Sequence, residues 1–422
     1  MTDFLPSHQD QRRLDGKEGA SLQFAMQLLS RIAVATHAER LIDISQAHLV
    51  GSYYSGPADC VFIEKLAADK ACVLVPTTLN SSSADLQRPA LYPANSPSVK
   101  SACRIVKLYQ QMGCDIALTC APYYLPQTPK QNEVIAWAES NAVIYANSVI
   151  GARTNKTFQY LDLCAALTGR IPEQGLYLNT NRRGQVVYQL RNIPDHWLAE
   201  DNFYQLLGFF IGDDVSDKIP VISGLPTSTS KDNLRNLGAA AGSSGNMAMF
   251  HAVGITPEAK TLEDALQWQP PIRTVIVTAN DILKVKHSFT STSKGELSTV
   301  CLGTPHFSLE EFKQVIQLLD DRKISKAITL YISTSRHVLK QLNDSHLISH
   351  FDQENIVIVT DTCTYYGDLI KNTTGTVMTA SLKWAHYAPG NINVSVLFSR
   401  LTDCIESAVY GKTQINENFW KH

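Results

Sequence analysis

Three short polar words stand where apolar runs end. Thr119-Cys120-Ala121-Pro122-Tyr123-Tyr124 closes the run from Cys114, Gly303-Thr304-Pro305-His306-Phe307-Ser308 closes the run from Leu297, and Asp361-Thr362-Cys363 follows Asn355 to Thr360. A thiolate at the mouth of a sheet is a natural ligand for iron or zinc, and a site with three protein ligands keeps one position open for substrate, which makes the metal a Lewis acid. The cysteine spacing is not that of a zinc ribbon. Each word also has a plainer reading: a buried thiol, a capped loop with a surface histidine, a turn carboxylate. It is their common placement at strand ends that makes them candidates.

A second polar set lies among apolar residues. The segment from about Glu133 to Ile150 reads as a long helix that is apolar on nearly every face, so Glu139, Ser140, Asn141 and Asn147 cannot all reach water. A buried carboxylate needs a cation or hydrogen-bond donors, and Arg153 and Asn155 just beyond are the nearest in sequence; bracing and substrate binding remain open as its purpose. The loops Gly51-Ser52-Tyr53-Tyr54-Ser55-Gly56 and Val75 to Asn80 offer N–H groups and hydroxyls suited to oxyanions, as ordinary turns also do. Lys383, ahead of His386 and Tyr387, can bind a carboxylate or lie in solvent.

The elements that must position these residues are those of an α/β chain. Helical periodicity covers Gly19 to Ala38, and Leu41 to Ile44 and Cys72 to Val75 read as short strands, as does the run Asp115 to Thr119. Gln185 to Gln189 alternates like a strand, and an Ala/Gly-rich helix between Leu237 and Val253 is built for close packing. From Thr274 on, strands at Thr274 to Thr278, Leu297 to Gly303, Ala327 to Ser333, Asn355 to Thr360 and Val394 to Phe398 alternate with helices, the doubly wound pattern in which ligands bind at the carboxyl ends of strands. Ser308 and Glu311 form a capping box that fixes one of those ends. The expected division is 1–270, an N-terminal and middle α/β region, and 271–422, a C-terminal doubly wound subdomain.

Composition narrows the class. In 422 residues, 37 Lys and Arg face 39 Asp and Glu, so nothing marks a nucleic-acid or membrane-surface binder. Charged residues are 18% and hydrophobic ones 44%, which requires a large core or a subunit contact. Nine scattered cysteines, an odd number, suit reduced thiols, and the apolar runs are too short to span a bilayer, so the expected location is cytoplasmic.

In this order the words resemble the large subunit of aconitase X, the divergent branch of the aconitase superfamily. The resemblance runs from Leu14-Asp-Gly-Lys-Glu-Gly-Ala through Pro76-Thr-Thr-Leu-Asn80, Thr119-Cys-Ala-Pro-Tyr, Trp137-Ala-Glu-Ser, Tyr145-Ala-Asn-Ser, Gly151-Ala-Arg-Thr-Asn155, Ala165-Ala-Leu-Thr-Gly-Arg170, Gly303-Thr-Pro-His-Phe-Ser and Asp361-Thr-Cys to Ala385-His-Tyr-Ala-Pro-Gly390. It implies an aconitase-like fold, several α/β/α subdomains around one cleft. It further implies a dehydratase of cis-3-hydroxy-L-proline or mevalonate 5-phosphate, with an iron–sulfur cluster held by cysteines, here Cys120 and Cys363.

Where the family word has a cysteine, this chain has Thr304 as the third neighbour; Cys301 is a weaker choice, ~10 Å back along the strand on the opposite face. The loop Gly51-Ser52-Tyr53 departs from the Gly-Val-Ser associated with phosphomevalonate, which ranks the hydroxyproline first. The family words leave no segment for the swivelling domain, so a separate small subunit is expected. The catalytic candidates are then His306, Glu139 and Lys383, and the substrate-binding ones Gly51, Ser52, Tyr53, Asn80, Ser140, Asn147 and Arg153. Two other readings stay open: a binding or regulatory subunit that has lost its cluster, and a mononuclear metal enzyme using Cys120, Cys363 and Asp361.

Overall fold

Short parallel sheets, each flanked by helices, organise the chain in the computed structural model, which describes residues 4–289 and 296–421. In the first region β1 (Leu41–Asp43) is set antiparallel to β5 (Arg170–Pro172), and β2 (Ala47–Leu49) lies between β3 (Thr77–Leu79) and β4 (Ala136–Trp137), both parallel to it. The helices Ala20–Ala35, Pro57–Ala68, Pro97–Gln111 and Leu161–Thr168 cover these strands through Leu29, Ile63, Ile105 and Leu163, all completely buried and worth ~1.5–3 kcal/mol each.

The middle region is a parallel sheet in the order β8 (His251–Ala252), β7 (Pro220–Ser223), β6 (Val186–Leu190), β9 (Arg273–Val277). Its helices Asp201–Val215 and Lys231–Ser244 cross closely because Gly208 and Gly212 lie directly against the backbone of Leu237 and Ala241. Gly238 and Gly242 admit Ile144 from the first region in the same way. The third sheet is all parallel, in the order β12 (Ile356–Val359), β11 (Thr329–Thr334), β10 (Leu297–Phe307), β13 (Thr376–Thr379), β14 (Ser395–Phe398). The chain winds outward from β10 to one side and then restarts at β13 on the other, so the switch point lies between those two strands. No helix among the described residues is long and apolar enough to cross a membrane.

Several expectations are corrected. Residues 133–139 are not helical: Val134 bridges to Arg153, Ala136–Trp137 pairs with β2, and the helix starts only at Ser140, its last turn widening over Ala146–Ile150. A strand buried on both faces has no polar side, and periodicity cannot tell it from a buried helix. The strand expected at Cys72 to Val75 lies instead at Thr77–Leu79, and Asp115 to Thr119 makes only a single bridge, at Asp115, before Leu118 turns to a φ of 43°. The small-residue helix is Lys231–Ser244, earlier than expected. The strand at Arg273–Val277 joins β6 of the middle sheet, and β13 had no counterpart in the sequence reading.

Candidate active site

Two parallel sheets present the loops after their carboxyl ends to each other. After β2 come Gly51 to Tyr54, after β3 Asn80 to Ser83, and after β4 Glu139; from the third sheet come the end of β10, the loop after β12 and Ser381 to Lys383 after β13. Backbone and side-chain bonds stitch the two sets together. Ser82 N–H donates to the Asp361 carbonyl at 2.6 Å, Thr360 N–H to Asp85 at 3.0 Å and Leu86 N–H to the Asp361 carboxylate at 3.1 Å.

At this junction Cys120, His306 and Cys363 converge, all buried, with their ligand-type atoms within 4.8 Å of one another. The backbone N–H of His306 donates to Cys120 Sγ at 3.3 Å. Both ring nitrogens of His306 are already engaged. Nε2 donates to the Thr362 carbonyl at 3.1 Å, and Nδ1 faces Thr119 Oγ1 at 3.1 Å; because that oxygen accepts from Ala121 N–H, its own proton points to the ring. Burial pushes the Cys120 thiol up, while Cys120 as a neighbouring proton donor holds Cys363 below the usual thiol range, with help from Lys383. Thr304 Oγ1, beside Cys363, is buried without a hydrogen-bond partner. Two thiols with a shared proton and an orphaned hydroxyl form a donor set compatible with a metal or cluster held through Cys120 and Cys363. Cys301 lies in the same apolar cluster but outside this group, and burial pushes its thiol up to about 12.

The carboxylate of Glu139 finds its cation across the junction, 244 residues away: Lys383 Nζ lies 3.0 Å from Oε1, both side chains buried. This corrects the expected partner Arg153. Burial works against the Lys383 ammonium, but Glu139 more than offsets it, and the lysine stays charged well above the ordinary range. Glu139 also caps the helix that follows, accepting from Ala142 N–H at 2.7 Å, and takes bonds from Asn141 and from Ser140 at 3.3 Å. Asn141 in turn donates to the Cys120 carbonyl at 2.8 Å, which ties the ion pair to the sulfur loop.

The remaining candidates separate into two groups. Ser52 is fully buried, its hydroxyl on the Asn80 carbonyl at 2.6 Å, and Tyr53 packs against Tyr366 with ring centroids 4.7 Å apart and the rings tilted by 40°. Gly51 lies against Tyr109 and Tyr160 behind that loop. Asn147 and Arg153 are engaged elsewhere. Asn147 donates to the Thr154 and Ala248 carbonyls and accepts from Arg182 at 3.1 Å, bracing the first region on the second. Arg153 donates to the Tyr177 carbonyl at 3.2 Å and to Asn132 at 3.0 Å. Asp361 is no free ligand either, since Arg336 grips it with two bonds of 2.6 Å. Sequence reasoning missed Arg336, Tyr366 and Lys156; Tyr366 and Lys156 lie just beyond recognised words, while Arg336, at a helix start after a strand, has no such neighbour.

Comparison with known proteins accords with this geometry. Family models described as the first, second and third domains of aconitase X match residues 6–180, 184–287 and 297–410. The chain is 37% identical over 414 residues to a protein of Pseudomonas aeruginosa named cis-3-hydroxy-L-proline dehydratase, covering 97% of this chain and 71% of that one. It is 31% identical over 395 residues to the phosphomevalonate dehydratase large subunit of Methanothermobacter thermautotrophicus, covering 92% and 95%. The crystal structure of Thermococcus kodakaraensis aconitase X (holo-form) superimposes with a TM-score of 0.85 at 28% identity, covering 95% of this chain and 99% of that one. Three matching domains, relatives along almost the whole length and a shared three-dimensional arrangement lead to one assignment: the chain belongs to the aconitase X family of hydro-lyases.

Proposed function

We propose that the chain is the large catalytic part of a dehydratase for a small β-hydroxy acid, with cis-3-hydroxy-L-proline ahead of mevalonate 5-phosphate. The observation that carries this ranking is the fate of the N–H groups in the loop after β2. Val50 N–H donates to Asp162 at 2.7 Å, Tyr54 N–H to Ser83 at 2.8 Å, and Ser55 and Gly56 N–H to Asp59 at 2.7 and 3.1 Å. These four donors, which flank Gly51-Ser52-Tyr53, are turned inward, and the two aspartates behind them disfavour a dianion. Tyr53, packed at a tilt against Tyr366, instead offers aromatic surface to a saturated ring. The higher identity to the hydroxyproline dehydratase supports the same order.

Dehydration needs an electrophile on the departing hydroxyl and a base for the carbon-bound proton. Cys120 and Cys363 would hold an iron–sulfur cluster with Thr304 Oγ1 beside it, and that group, when bound, supplies Lewis acidity to the hydroxyl. His306 acts as a positioning residue: its ring is locked between Thr119 and Thr362, and its N–H steadies Cys120. Lys383 supplies positive potential to the negative charge that develops as the proton leaves. Glu139, whose oxygens already accept from Lys383, Ser140, Asn141 and Ala142, orients that lysine. The base comes from a swivel domain, which we place on a small subunit because the Methanothermobacter relative named a large subunit is matched over 95% of its length. Asn80, Ser140 and the Gly51–Tyr53 loop wall the substrate. Nine free cysteines accord with work in the cytoplasm.

Iron and sulfide analysis of anaerobically reconstituted chain, beside Cys120→Ser and Cys363→Ser, tests the metal reading. Visible absorbance and bound iron are expected in the wild type and lost in both variants; iron-free wild type, or variants with full iron, refutes it and favours a subunit without a cluster. Turnover by the assembled two-subunit enzyme tests the substrate: dehydration of the phosphorylated acid with none of the hydroxyproline reverses the ranking.

A further inference from the structure

We propose that Lys156 is the cation that receives the substrate carboxylate, an assignment that rests on the hydroxy-acid reading above. Both acids in that reading carry a carboxylate, and an anion that leaves water for a site walled by protein needs a counter-charge. The cations around the junction are accounted for one by one. Lys383 is already engaged with Glu139 at 3.0 Å. Arg336 holds Asp361, Arg88 lies 3.2 Å from Asp85, Arg235 grips Glu311 at 2.6 Å, and Arg153 donates to Tyr177 and Asn132.

Lys156 differs from all of them. Its side chain is exposed and makes no hydrogen bond or ion pair among the described residues. Its root is nonetheless fixed. Thr154 Oγ1 bonds both the N–H and the carbonyl of Trp137 at 3.0 Å, and Asn155 donates to the Gln174 carbonyl at 2.9 Å and accepts from Leu176 N–H at 2.7 Å. These bonds hold the chain, up to residue 155, beside the strand that delivers Glu139. Partial burial, Glu139 and Lys383 all bear on the titration of the Lys156 ammonium, which places it within electrostatic reach of both members of the pair. A fixed root with an exposed head and one unmatched positive charge is the arrangement that an entering carboxylate requires. Arg153, the residue that sequence reasoning put in this role, is three positions away and already engaged.

The test is kinetic, on the assembled enzyme, with whichever of the two hydroxy acids the wild type turns over. Lys156→Gln is expected to raise KM about 10- to 100-fold, the range for losing one charge-assisted hydrogen bond, with kcat little changed. Lys156→Arg is expected to recover most of that loss. Added salt should raise KM for the wild type and leave that of Lys156→Gln nearly flat. A KM in Lys156→Gln within about twofold of wild type, with the same salt dependence, overturns the assignment. Because Lys156 is exposed and unpaired, thermal unfolding of the variants should match the wild type, so a change in KM is not a folding effect. A wild type that turns over neither acid fails before any variant is compared; it refutes the hydroxy-acid reading, and this assignment falls with it.

Discussion

Removing the negative charge of the Glu139–Lys383 pair is expected to cost the fold several kcal/mol at neutral pH, and that cost should shrink as pH rises. Glu139→Gln keeps the shape of the side chain and an oxygen for the Ala142 N–H, so the main change is that Lys383, 7% exposed, loses its counter-charge. Breaking a buried pair from one side costs ~3–5 kcal/mol. Lysine has an escape, since it can shed its proton, and neutralising an ordinary lysine at pH 7 costs about 4.6 kcal/mol at about 1.36 kcal/mol per pKa unit. The two routes agree on a loss of about 4 kcal/mol. In the wild type the folded pKa of Lys383 lies above its unfolded value, so the stabilisation is complete below the unfolded pKa and is lost only as pH rises through the folded one. In Glu139→Gln burial is expected to outweigh the remaining attraction of Cys120 and Tyr387, and the sign reverses. The folded lysine is neutral, the unfolded one binds the extra proton, and stability should recover by about 1.4 kcal/mol per pH unit between pH 7 and 9. Urea unfolding of the full chain at pH 7, 8 and 9, followed by the fluorescence of its tryptophans, of which Trp384 is fully buried one residue from Lys383, measures both quantities. The double variant Glu139→Gln/Lys383→Met should regain most of the loss at pH 7. A single variant within about 1 kcal/mol of wild type and without a pH slope refutes the reasoning.

Other perturbations test the scaffold. Gly208→Ala drives a methyl group into the Leu237 backbone and should lower stability by about 1–3 kcal/mol or more, read as a drop in Tm. Ser308→Ala removes a cap that accepts from Glu311 N–H at 3.2 Å and donates to Asp232 at 2.8 Å; a loss of about 1–2 kcal/mol in urea unfolding is expected. Burial, with Glu311 nearby, raises the Asp201 carboxyl to about 7, so the folded chain holds a proton that the unfolded chain releases near pH 4. Asp201→Asn should therefore raise Tm at pH 8 and leave it nearly unchanged at pH 4.

What the sequence disclosed follows the range of the forces involved. The capping box at Ser308 is a contact over three residues, and both of its bonds form as read, the second from Ser308 N–H to Glu311 at 2.8 Å. The strands of the third sheet were legible because turn residues bracket them, apart from β13, four residues just after Gly375. Segment 133–139 failed because burial on both faces erases the polar side from which a period is read. The link between Glu139 and Lys383 had no sequence signature, since a salt bridge between distant residues exists only once two sheets have docked. The nearest cation in sequence, Arg153, drew the pairing instead.

The two aspartates behind the β2 loop place a constraint on inheritance. Asp59 comes from the helix Pro57–Ala68 and Asp162 from Leu161–Thr168, and between them they hold three of the loop's N–H groups. Exchanging Gly51, Ser52 and Tyr53 for a word that suits phosphate leaves both carboxylates in place, still turning those amides inward. On the proposed reading, selectivity is stored one layer below the surface that touches substrate. On that reading, a lineage or a designer moving between the two acids has to change two helices as well as the loop.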